Sequence, residues 1–220
     1  MALTKFNFNS FDITSAANKG LAFNSSANGF ETAAEGSMTL IKTLTASSSA
    51  NLSFVDGSSD VVLDNTYPVY LFKYITIHPA TNDQAFQFQG SIDSGSNYNV
   101  TMTTTKFRAY NLENDGGYGL VYQNASDQAQ GTSFQNLHGG LGNGSDEQCS
   151  GEFFLFNPSS TTFVKHFMHR GVQYQSDNYP QNEFVAGYFN TTSAIDAMQF
   201  KMASGNIDAG TIKLYGISDS

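Results

Sequence analysis

A single cysteine, Cys149, in 220 residues excludes an intramolecular disulfide and a Cys-based zinc site, so burial or assembly must hold the fold together. Tryptophan is absent, and charged residues make up 13% of the chain, about half the usual quarter. Ser, Thr, Asn, Gln and Gly therefore carry the surface. Basic residues are few as well: 10 Lys and Arg against 19 Asp and Glu leave a net charge of −9, with an isoelectric point near 4.6. Such a field repels phosphate, and the basic residues stand singly, which excludes nucleic acid and an anionic membrane surface as partners. There is no apolar run of about eighteen residues and no continuous apolar stretch near the N-terminus. The expectation is a soluble chain made in a cytoplasm.

Aromatic residues are what the chain has in quantity, 19 Phe and 11 Tyr. From residue 38 onward, short β-like runs alternate with Gly, Asn, Asp and Pro clusters at the spacing of an all-β sandwich. Strands are expected at 38–45, 51–55, 69–78, 85–89, 98–105, 106–111, 119–123, 151–157, 162–169, 172–175, 183–190, 195–202 and 211–216. Short turns at 133–141 and 192–198 are the only helical candidates. In the last strand Ile212 and Leu214 share one face, with Thr211, Lys213 and Tyr215 on the other, which is half-buried alternation. The strand VYLFKYITIH at 69–78 differs: Val69, Leu71, Ile75 and Ile77 line one face, Tyr70, Phe72 and Tyr74 the other. Three aromatics left in water would expose roughly 450–750 Å², at or above what a monomer tolerates. FFLF at 153–156 repeats the pattern. Either neighbouring copies cover this second face, making Tyr70, Phe72, Tyr74, Phe154 and Phe156 an oligomer interface, or a thick single-chain core does.

Residues 1–36 differ in composition from the rest. Ala, Ser and Asn dominate, and Phe6, Phe8, Phe11, Phe23 and Phe30 follow neither a helical nor a strand period. This reads as an extended N-terminal arm that orders on another surface through its aromatics, or as a disordered tail; the sandwich occupies 37–220. The glycine-rich stretch 131–150 is the longest expected loop, a place for recognition or mere connection.

Catalytic signatures are missing: there is no G-x-S-x-G, H-E-x-x-H, phosphate-binding G-x-x-x-x-G-K-[ST] or G-x-G-x-x-G after a strand. On a strand His166 and His169, three apart, point to opposite faces and cannot share a metal. Glu152, Asp177 and Glu183 are the carboxylates to check for a glycosidase pair. The turns at 56–60 and 93–97 carry alternate oxygen ligands without the distal Glu of a calcium loop, so they read as tight turns. The expectation is no enzyme, no cofactor and no metal.

Longer phrases carry a resemblance. TYPVYLFKYITIHP at 66–79, FQFQGSIDSGSNYNVTMTTT at 86–105, FNPSSTTFV at 156–164, FVAGYFNTTSAIDAMQFKM at 184–202 and GTIKLYGI at 210–217 are similar to a family of marine bacteriophage virion and appendage proteins. The resemblance implies a jelly-roll-type β-sandwich that trimerises, and offers no catalytic or binding residues to carry over. With a short arm in place of a long stalk, it implies a capsid-decorating protein, a short tail fibre or a knob, assembled in the host cytoplasm into the virion. The implied partners are further copies of the chain and a capsid or tail protein. A host-surface glycan or receptor is the alternative partner, and a polysaccharide-degrading tail enzyme the third reading.

Overall fold

The computed structural model describes residues 21–218, apart from 25, 27, 28 and 33–36. By internal contact the chain divides into two compact units, Met1–Thr39 and Leu40–Ser220. The first contains a small antiparallel hairpin, β1 (Leu21–Phe23) and β2 (Phe30–Thr32), with Phe23 opposite Phe30 and their rings stacked at 4.9 Å. Within the expected arm, residues 21–23 and 30–32 pair locally, although Phe23 and Phe30 follow no strand period along the chain. Cross-strand aromatic pairing supplies what local periodicity does not show. Phe6, Phe8 and Phe11 lie outside the described residues.

The remaining strands are β3 (Met38–Ser49), β4 (Leu52–Val55), β5 (Val69–Pro79), β6 (Gln84–Ser91), β7 (Met102–Asn111), β8 (Tyr118–Tyr122), β9 (Gln135–Leu141), β10 (Cys149–Phe156), β11 (Lys165–Gln175), β12 (Tyr179–Phe189), β13 (Ala197–Met202) and β14 (Ile207–Ile217). Among the described residues there is no α-helix. The fold is all-β and antiparallel, as expected. Two layers follow from the pairing: β3-β14-β5-β10-β11-β12-β7-β8 and β9-β6-β13-β4, linked by the bridge Gln175↔Leu141. The pairs β3·β14, β4·β13, β5·β10 and β6·β9 nest inside one another, while β7–β8 and β11–β12 are inserted hairpins that widen the first layer.

Between the layers lies a core built on phenylalanine. Phe72 of β5 meets Phe54 of β4 at 5.3 Å, Phe200 of β13 at 5.3 Å and Phe153 of β10 at 6.0 Å. Phe88 of β6 meets Phe153 at 4.5 Å and Phe167 of β11 at 5.1 Å. Each such ring, fully buried, contributes about 2–3 kcal/mol. Large flat side chains thus fill the space that Trp, Leu and Ile share elsewhere.

This core overturns part of the interface expectation. Tyr70, Phe72 and Tyr74 are each 0% exposed within one chain. The second layer meets Phe72 and Tyr74, and the β4–β5 connection meets Tyr70 through Asp64 and Tyr67, so these side chains cannot meet a neighbouring copy. The thick single-chain core is the alternative the structure takes for that face. Alternation along β5 is also broken at Thr76, whose φ is +52°. Cys149 pairs with Ile77 and Gly151 with Tyr74, so one extra residue of β5 is accommodated as a β-bulge. The bulge turns Ile77 into the core and leaves Ile75 exposed, although strict alternation puts them on one face.

Candidate functional site

The outward face of the eight-stranded layer keeps the other half of the interface expectation. Side chains there form cross-strand rows. One row runs Tyr215, Leu71, Phe154, Met168, Ala186 and Thr105 across β14, β5, β10, β11, β12 and β7. Phe154 and Phe156 stack at 6.4 Å and are half-buried, whereas Met168 is 54% exposed. Phe156, His166, Met168, Ala186 and Tyr188 border a shallow groove of about 440 Å³. Further along, Phe107 and Phe184 stack at 4.7 Å, and Ile75, Phe107, Val172 and Tyr122 are all more than a third exposed.

A charged row crosses this apolar field. Glu152 of β10 sits between Lys73 at 3.4 Å and Arg170 at 3.9 Å. Beside it a second groove of about 390 Å³ is walled by Lys73, Ile75, Ser150, Glu152, Arg170, Val172 and Asn182. Its floor is the cross-strand pair Gly151 and Gly171.

Beneath those two glycines lies a buried polar cluster. Tyr74 of β5, His169 of β11 and His138 of β9 converge: the Tyr74 hydroxyl is 2.6 Å from His138 Nε2 and 2.5 Å from His169 Nε2. A hydroxyl has one proton to give, so one imidazole accepts it and the other donates its own Nε2–H to the phenol oxygen. The two rings are then opposite tautomers, and neither Nδ1 has a hydrogen-bond partner. Burial pushes the Tyr74 hydroxyl well above its ordinary range and both imidazoles down, His169 to about 3, so both rings are neutral at pH 7. Lys106 and Glu183, both buried, pair alongside at 3.4 Å. Burial lowers the Lys106 ammonium and raises the Glu183 carboxyl, with their mutual attraction opposing both shifts. Gln173 Nε2 completes the layer by donating to the Gly139 carbonyl at 2.6 Å and to Gln181 Oε1 at 3.0 Å.

The glycines are necessary to this packing. A Cβ on Gly151 or Gly171 would overlap the Tyr74 hydroxyl, and one on Gly171 would overlap His138 as well. Gly171→Ala is expected to destabilise the fold by about 2–3 kcal/mol. Only part of that loss should be recovered in the Tyr74→Phe background, because the overlap with His138 remains, and urea unfolding of the single and double variants checks it.

The candidate carboxylates do not converge. Glu152 points outward, Glu183 is sealed inward against Lys106, and Asp177 lies exposed in the β11–β12 turn. His166 and His169 do face opposite sides, exposed and buried. Among the described residues no group of three or more His, Cys, Asp or Glu is placed to hold a metal ion. The Asp93 carboxylate is occupied within its own turn, accepting from the Asn97 backbone at 2.8 Å, the Asn97 side chain at 2.7 Å and Ser91 at 2.7 Å.

Comparison with family models, curated proteins and solved structures finds no match.

Two features escape a reading of the sequence. The expected loop at 131–150 contains β9, whose Leu137, His138 and Leu141 are buried, so it is core strand over much of its length. Its signal was the apolar pair Leu137 and Leu141 around His138-Gly139-Gly140, read as loop because glycine disfavours strands. The meeting of His138 with His169 had no signal at all, because they come from opposite layers.

Proposed function

We propose that this chain is a bacteriophage virion structural protein that assembles with its own copies through the outward face of the eight-stranded layer. The expected assembly is a homotrimer, and the segment 1–36 is its anchor on a capsid or tail partner. One observation carries the reading: after the core has closed over Tyr70, Phe72 and Tyr74, a second apolar field of Phe154, Phe156, Met168, Phe107 and Phe184 still faces outward. Contiguous apolar surface of that kind marks an interaction site. The nested strand pairs favour it too, since nested antiparallel pairing is compatible with a jelly roll, an architecture common in viral capsid domains. The phrases similar to marine phage proteins point the same way. The exposed, stacked Phe23 and Phe30 suit an anchor, presenting aromatic area from a short hairpin.

Met168→Glu and Phe156→Glu place charge in the field without touching the core. Each is expected to break the outward-face contact and reduce a multimer at micromolar concentration to smaller folded species, read by sedimentation velocity. Wild-type protein that sediments as a monomer contradicts the reading. Removal of residues 1–36 is expected to abolish incorporation into particles while assembly in solution persists.

A further inference from the structure

At one end of the eight-stranded layer, β8 (YGLVY) pairs with β7, and among the described residues no strand pairs with its other edge. The phase of its hydrogen bonds is set by the Gln123 N–H donating to the Lys106 carbonyl and the Leu112 N–H donating to the Gly117 carbonyl, both at 2.8 Å. With Tyr122 opposite Phe107 and Tyr118 opposite Asn111, positions 117, 119, 121 and 123 turn their backbone groups toward β7. Tyr118, Leu120 and Tyr122 therefore direct theirs to the open edge. The same three carry side chains far out in solvent, with Tyr118 77% and Leu120 72% exposed. Natural edges are usually blunted by charge, proline or a covering segment, and Tyr118–Tyr122 has no charged residue and no proline.

We infer that β8 is a two-fold pairing strand, and that its occupant is β8 of a second copy, antiparallel and centred on Leu120. The sequence is complementary to itself in that register. Tyr118 falls opposite Tyr122 of the second copy, small Gly119 opposite Val121, and Leu120 opposite itself. Leu120 is also a position whose backbone faces the open edge, as a symmetric hydrogen-bonded centre requires. The three outward-directed residues on each side then exchange about six hydrogen bonds, and the outer-face side chains Tyr118, Leu120 and Tyr122 stack against their counterparts. The inference rests on the assembly reading only in taking a second copy as partner, because the backbone edge of β8, not the field around Phe154, Phe156 and Met168, makes the contact.

Mild oxidation of the Leu120→Cys protein tests the register. The two positions 120 would be about 5.5 Å apart, within disulfide range, and the native Cys149 is buried. A covalent dimer is expected. The Tyr118→Cys protein, equally exposed but about 14 Å from its own copy in this register, should give none. Leu120→Pro removes an N–H that β7 does not use, so it should keep the strand content by circular dichroism and lose the edge-dependent association. Absence of the 120–120 cross-link, equal cross-linking at 118, or unchanged association of a folded Leu120→Pro protein overturns the inference. Cross-linking at 120 that persists in the Met168→Glu protein supports the edge even where the outward-face reading fails. Dissociation by Met168→Glu with no cross-link at 120 sinks the edge and spares that reading.

Discussion

Lowering the pH from 7 to 5 is expected to remove about 4 kcal/mol from the stability of the sandwich. His138 and His169 are held neutral in the folded chain by burial, against an ordinary value of 6.5. A depressed folded value means the unfolded chain binds protons first. The stabilising contribution is therefore complete above about pH 6.5 and is lost as pH falls. For His169 the loss levels off only near its folded value of about 3. Each ring costs roughly 1.4 kcal/mol per pH unit within that window, or about 2 kcal/mol by pH 5. The groups packed around them modify this only below the first part of the window. Glu183, raised by burial, takes up its proton earlier in the folded chain than in the unfolded one and so offsets some of the loss toward the acid end. Denaturant unfolding at several pH values measures the slope. The triple variant Tyr74→Phe, His138→Leu, His169→Leu exchanges the cluster for apolar groups and should flatten it. A wild-type protein equally stable at pH 7 and 5 would show that the imidazoles are not sealed.

Glu183→Gln is expected to cost about 3–5 kcal/mol, because it strands a buried ammonium whose attraction to the carboxylate had offset its desolvation. Lys106 and Glu183 side chains are 2% and 1% exposed and 3.4 Å apart, so neither charge can turn to water. Lys106→Met is expected to be similarly harmful, leaving the carboxylate alone. The double variant Lys106→Met, Glu183→Leu should recover most of the loss, since taking both charges out of a dry interior is often neutral or stabilising. A double-mutant cycle by urea unfolding isolates the coupling. The pair of Lys73 with Glu152 is an internal control: similar in length but solvated, it should couple by no more than about 1 kcal/mol. Equal coupling in the two pairs would overturn the argument.

Much of the strand inventory was legible from local pattern. The expected runs at 69–78 and 151–157 correspond closely to β5 and β10, and 211–216 is the later part of β14, because apolar and aromatic residues at period two are a local property of a pleated chain. Other boundaries were not local. The runs at 98–105 and 106–111 contribute to the single strand β7, and those at 162–169 and 172–175 to β11. In β11 the Arg170-Gly171 step looks like a break, yet it is held straight by cross-strand partners on both sides, Glu152 and Gly151 in β10, Phe184 and Glu183 in β12. Of the candidate interface, Phe154 and Phe156 are on the outward face, whereas Tyr70, Phe72 and Tyr74 are core.

The amino-acid order alone established an all-β chain with a phenylalanine-rich interior and at least one strand apolar on both sides, because side-chain alternation and turn chemistry act over a few residues. It could not say which of the two faces of β5 the protein hides. Only the tertiary structure decided that, by laying β6, β13 and β4 over the aromatic side and leaving Ile75, Phe154 and Met168 outward. It also brought Tyr74, His138 and His169 from three strands to one point, which no spacing along the chain encodes. Alternation is symmetric about the plane of a sheet, and the layer that covers one side breaks that symmetry through long-range packing.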